Sequence, residues 1–165
     1  MPRLTHNQRV GLVSRANYLY EHRWSLGYSE VRPFRLRSLA TLTSLFAQGQ
    51  GPTDYDCSAS IIEMYYLVGA QDPGGYKFSG YGNTASMLGW LHHHYTEAHH
   101  ALPGAIAIFN ADRSPYYQHA CMVIQSGNDP LLFSHGRPGV DRQPLSWIQH
   151  GFSGHTVFLD VAGLG

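Results

Sequence analysis

Lysine is nearly missing from this chain: Lys77 is the only one, and lysine and arginine together number 11 against 11 aspartates and glutamates. A net charge of zero gives no global pull toward a nucleic-acid backbone, so no nucleic-acid partner is expected. Cysteine is scarce as well. Cys57 and Cys121 are the two present, which is too few for a disulfide framework or a cysteine-only zinc site. No apolar run approaches the roughly 20 residues of a membrane span, and no signal-peptide core opens the chain. The expectation is a protein made without a signal peptide, reduced at synthesis and not inserted in a membrane.

What is present fits one folded domain. Of the 165 residues, 43% are hydrophobic and 13% charged, with 18 glycines and 11 tyrosines. That composition excludes disorder and suits a loop-rich α+β fold with a real core. The charge is unevenly placed. Residues 1–37 hold seven arginines against Glu21 and Glu30, and the remainder is acidic by the same margin. This reads as a solvated helix face or as pairing between the two parts.

Along the chain, Thr5 is placed to cap a helix running to about Arg23, with Val10, Val13, Ala16, Asn17 and Tyr20 near one face. Arg32-Pro33 is a turn or break before a second helical pattern through Leu36, Leu39, Leu42 and Leu45. A Gly/Gln loop (48–52) leads to Asp56-Cys57-Ser58, where an apolar helix begins and runs to Gly69. Asp72-Pro73-Gly74-Gly75 is a turn, and Thr84 is placed to cap a short helix through Leu91. From Ala101 the period changes to four short β runs: Ala105–Phe109, Ala120–Ile124, Leu131–Ser134 and Thr156–Val161. Helices followed by an antiparallel sheet make an α+β fold.

The chemistry centres on Cys57. In the first turn of a buried helix, unpaired N–H groups and the dipole favour a thiolate, as in a cysteine nucleophile. The competing reading is a small buried hydrophobe. His119 opens one β run and His135 closes the next. If these strands pair antiparallel, both imidazoles come to one sheet edge near the start of the cysteine helix. The expected set is therefore Cys57 as nucleophile, His119 as base and His135 as the group orienting His119. Asp56 and Ser58 flank the nucleophile, either as helix caps or as substrate contacts. Trp90 is expected in the wall of a substrate cleft, and Cys121, two residues after His119, in the core.

Asp56-Cys57-Ser58, Leu102-Pro103-Gly104-Ala105 followed by an apolar strand, and His119 leading a β run together resemble the NlpC/P60 pattern. Phe133-Ser134-His135-Gly136 falls where that family has its third polar residue. The peptidase domains of actinobacteriophage endolysins look most similar, with counterparts of Gly80-Tyr81-Gly82-Asn83-Thr84. The resemblance covers roughly residues 45–162. It implies a papain-like core at 46–165 behind a helical lead-in at 1–45, with the nucleophile at a helix N-terminus packed on the sheet. It also implies a monomeric, cofactor-free and metal-free cysteine peptidase cleaving an amide in the peptidoglycan stem peptide, often between D-glutamate and the diamino acid. Tyr81 joins Asp56, Ser58 and Trp90 as substrate contacts on this view. Such an enzyme is made in the host cytoplasm and reaches the wall after release. Two departures stand out. Ala105 replaces the usual Asp, and the tyrosine-bearing segment before the cysteine is reduced, leaving Tyr55 as one substitute.

Other readings remain. The His92–His100 stretch lacks His-Glu-x-x-His spacing and reads as an exposed, metal-prone helix end. A zinc amidase using His119, Cys121 and His135 would leave Cys57 unexplained. A wall-binding or phage structural module without turnover is the other class.

Overall fold

A computed structural model describes residues 3–36, 55–90 and 93–161. Thr5 caps α1 (His6–Glu21) through a capping box: its hydroxyl accepts from the Gln8 N–H, and the Gln8 side chain returns to the Thr5 N–H. The buried stripe of α1 is Arg9, Leu12, Ala16 and Leu19. That is one position off the face read from the sequence, and Val10 is 54% exposed. The register shifts because Arg9, polar in any sequence scale, is neutralised by Asp160 and counts as core. Of the helix expected around Leu36–Leu45, all but Leu36 falls outside the described residues, as does the proposed boundary at 45/46.

Asp56 caps α2 (Cys57–Leu67) by accepting from the Ala59 N–H at 2.8 Å. Every residue from Cys57 to Tyr65 is buried. The helix stops where Gly69 takes φ +65°, a conformation glycine adopts without cost. Asp72 then organises the following loop, its carboxylate accepting from the N–H groups of Gly74, Tyr76 and Phe78. α3 spans Thr84–Gly89 and is capped by Asn83, one residue before the expected Thr84.

The sheet has six strands: β1 (His93–Thr96), β2 (Ile106–Phe109), β3 (His119–Gln125), β4 (Leu131–Gly136), β5 (Gly139–Pro144) and β6 (Val157–Val161). Their order is β1-β6-β2-β3-β4-β5, with every neighbour antiparallel. Of the stretch read as a helix end at 92–100, the described residues from His93 onward are instead strand β1 and a 3₁₀ turn at Ala98–His100. A short helix α4 (Leu145–Gln149) follows β5. The fold is α+β, an open antiparallel sheet with helices packed on it.

Strand alternation divides the interior in two. The helix face joins Ile106, Ile108, Ala120, Met122 and Phe133 to Leu12, Cys57, Ile61 and Tyr65. The back face joins Ala107, Phe109, Cys121, Val123 and Leu132 to Leu145 and Phe158. Helix α1 thus belongs to the same core as α2. Residues 26–36 cross the end of the sheet and are pinned by Ser29 N–H to the Tyr55 carbonyl and by Phe34 N–H to the Gly80 carbonyl.

Gly80 has φ +89°, and a Cβ there would lie 2.2 Å from the Phe34 carbonyl oxygen. Gly80→Ala combines left-handed strain with a backbone clash. It is expected to cost at least about 2 kcal/mol, read as a fall in the urea midpoint at unchanged slope.

Candidate functional site

Cys57 sits on the floor of a cavity of about 380 Å³, walled by Tyr28, Glu30, Arg32, Asn83, Thr84 and Gln118. The sulfur has the Thr84 hydroxyl at 3.9 Å and receives the backbone N–H groups of Ala120 and Ser58. Arg32 braces the helix start. It pairs with Asp56 at 2.8 Å, donates to the Ser58 hydroxyl at 3.1 Å and holds the Gly82 carbonyl at 3.0 Å. Asp56 and Ser58 are therefore bound up in capping and in the arginine clamp, although both still reach the cavity wall.

The thiol is not the activated one expected at a helix start. Burial, and then the Asp56 carboxylate, push its pKa up to about 11, against the opposing pull of the Ala120 N–H, the Thr84 hydroxyl and the Ser58 N–H. The N-cap carboxylate spends the positive end of the helix and sets a negative charge beside the sulfur.

The two histidines separate because a strand alternates its side chains. Ala120 faces Cys57, so His119 faces the back, stacked parallel to Phe152 at 5.7 Å with its Nε2 2.7 Å from the Ser134 hydroxyl. His135 faces the helices. Its Nε2 lies 2.8 Å from the Gly27 carbonyl, and its Nδ1 2.6 Å from the Ser60 hydroxyl. A carbonyl only accepts, so Nε2 carries a proton, while the Ser60 hydroxyl can serve Nδ1 as donor or acceptor. His135 is 2% exposed and ties β4 to α2 and to the 26–36 segment. Its expected place as orienter of His119 is taken by Ser134. One residue of register along β4 decides between them.

Burial pulls the His119 pKa down, but the charge and hydrogen bond of Cys121 and the charge of Asp56 together raise it. A pH titration followed by long-range ¹H–¹⁵N spectra is expected to show His119 titrating above an ordinary histidine. Cys121→Ala should bring it down. A raised folded-state value means that the stability contributed by His119 is present at low pH and lost as pH rises through that value.

The cavity holding His119, of about 460 Å³, shares Tyr28, Glu30, Tyr116 and Gln118 with the Cys57 cavity, so the two adjoin at the open end of the sheet. Tyr28 was not singled out in the sequence. Burial, and then the charge of Cys57, raise its pKa, and its hydroxyl donates to Glu30 at 3.1 Å. Tyr55, the tyrosine considered for that position, is buried with its hydroxyl on Glu63 at 2.6 Å and on the Arg35 carbonyl. Trp90 lines a different cavity, with Tyr66, Gln71 and Phe78 beyond the far end of α2. Tyr81 is 51% exposed and is not among the residues lining the Cys57 cavity.

Compared with protein-family models, curated proteins and solved structures, the chain matches none of them. The likeness to NlpC/P60 therefore rests on its short motifs alone. No helix among the described residues is long and apolar enough to cross a membrane.

His119, Cys121 and His135 do not converge as a metal set, since His135 is on the opposite sheet face from the other two. Among the described residues, the donors that do converge are Glu97, His99 and His100.

Proposed function

We propose that this chain hydrolyses an amide in the peptide stem of peptidoglycan, with Cys57 as nucleophile. The observation that carries the reading is the placement of a cysteine at the start of a buried helix, on the floor of a polar cavity, with backbone N–H groups directed at its sulfur. Those donors suit an oxyanion developing beside the sulfur. In the reaction the thiol gives its proton to a base and the sulfur adds to the carbonyl. The C–N bond then breaks as the amine takes that proton, and water hydrolyses the thioester. His119 is the base on this reading. Its backbone neighbour Ala120 already reaches the sulfur, and its imidazole must leave Ser134 to do so.

A second reading is a wall-recognition module without turnover. It is favoured by a thiol held protonated and by imidazoles hydrogen-bonded elsewhere. Purified actinobacterial peptidoglycan incubated with wild type and with Cys57→Ala separates the two. The hydrolase reading expects turbidity loss and new amino termini from wild type only, with the fragment mass naming the bond. Co-sedimentation of both proteins with uncut wall supports recognition instead. Equal cleavage by both proteins, stopped by a chelator, transfers the activity to a metal.

A further inference from the structure

We propose that Glu97, His99 and His100 form a binding site for a divalent transition metal of the zinc class. These residues sit on the turn that follows edge strand β1, and β6 and β2 lie between β1 and the strand that carries His119. The site is independent of the function proposed for Cys57.

The turn is held from both sides. The His100 N–H donates to the Glu97 carbonyl at 3.0 Å and the Ala101 N–H to the Ala98 carbonyl at 3.2 Å. Ala101 is fully buried, its carbonyl accepts from the Ser126 hydroxyl at 2.9 Å, and Ala98 packs on the back-face core. The alanines anchor the backbone while the three ligand side chains stay exposed. With three residues per turn, a 3₁₀ segment places Glu97 and His100 on the same side, and His99 lies beside them.

The donors already converge. One ligand atom from each residue lies within 4.8 Å of the others, and His99 Nε2 is 3.3 Å from Glu97 Oε2. The two imidazole centroids are 4.0 Å apart. A tetrahedral zinc with bonds near 2.1 Å needs donor separations of roughly 3.4 Å, which small side-chain rotations supply. Two imidazoles and one carboxylate form a borderline set suited to zinc, and they leave a coordination position for water or an incoming ligand.

The test is calorimetric titration of zinc chloride into the chelator-stripped full chain at about pH 7.5, beside His99→Ala, His100→Ala and Glu97→Gln. The expected result is a single high-affinity site, weakened at least about tenfold by either alanine and less by the glutamine. It should be lost near pH 5.5, where imidazoles protonate. Zinc should move the ¹⁵N resonances of His99 and His100 and raise the thermal midpoint of wild type alone. All three variants alter exposed side chains, so their metal-free midpoints should equal that of wild type. Absence of saturable binding, or an isotherm unchanged in all three variants, overturns the proposal, the latter by assigning the metal to other histidines.

Discussion

Alkylation of Cys57 by iodoacetamide in the free protein is expected to climb with pH without bending until about 11. Near neutrality its thiolate population should be about a hundredfold below that of an ordinary cysteine. Burial is the main cause and the Asp56 carboxylate the second. Asp56→Asn keeps a competent N-cap while removing the charge, so it should move the bend downward. A bend below pH 8 in wild type would instead mean a thiolate–imidazolium pair in the resting site. The same raised value has a stability consequence. An acid whose folded-state pKa lies above its unfolded one contributes stability that is present below the unfolded value and lost as pH rises through the folded one. Between about pH 9 and 11 wild type should therefore lose roughly 2–3 kcal/mol that Cys57→Ala does not lose, measured as the difference in urea stability across that range.

Arg9→Ala is the substitution expected to cost most in stability, about 3–5 kcal/mol. The Arg9 guanidinium grips Asp160 with both oxygens, at 2.9 and 3.1 Å, and donates to the Pro103 carbonyl at 2.8 Å. Both side chains are about nine-tenths buried. Removing the arginine leaves a buried carboxylate without its cation and frees α1 from the strand that ends the chain's core. The double replacement Arg9→Met with Asp160→Leu removes both charges and should recover most of the loss. A double variant as unstable as Arg9→Ala would show that packing, not the orphaned charge, sets the cost.

The central part of the fold was legible where a local rule and the core agree. Thr5 and Asp56 cap the helices they precede, Gly69 ends α2, and the four β runs become the four inner strands. The two strands that were not read, β1 and β5, are the edges. His93–Thr96 and Gly139–Pro144 carry polar residues that a sheet edge tolerates and that hide its period from a hydrophobicity reading. The pairing expected between the arginine-rich start and the acidic remainder is met at Arg9 and Asp160, but that Arg9 joins the buried face of α1 was not legible, because its burial depends on a partner distant in sequence.

In the site, the position of Cys57 was legible and its ionisation was not. Helix position favours a thiolate, while burial depth and the adjacent Asp56 act through three-dimensional environment. The pairing of His119 with Ser134 instead of His135 turns on strand parity, which the positions of the histidines leave open. Tyr28 carries no motif, and reaches the cavity only because residues 26–36 cross the end of the sheet.

The most direct measurement is the rate at which new amino termini appear from purified peptidoglycan, wild type against Cys57→Ala, with both proteins shown to be folded. The account predicts a loss of at least about a thousandfold, the scale of removing a catalytic nucleophile. Equal rates would contradict it.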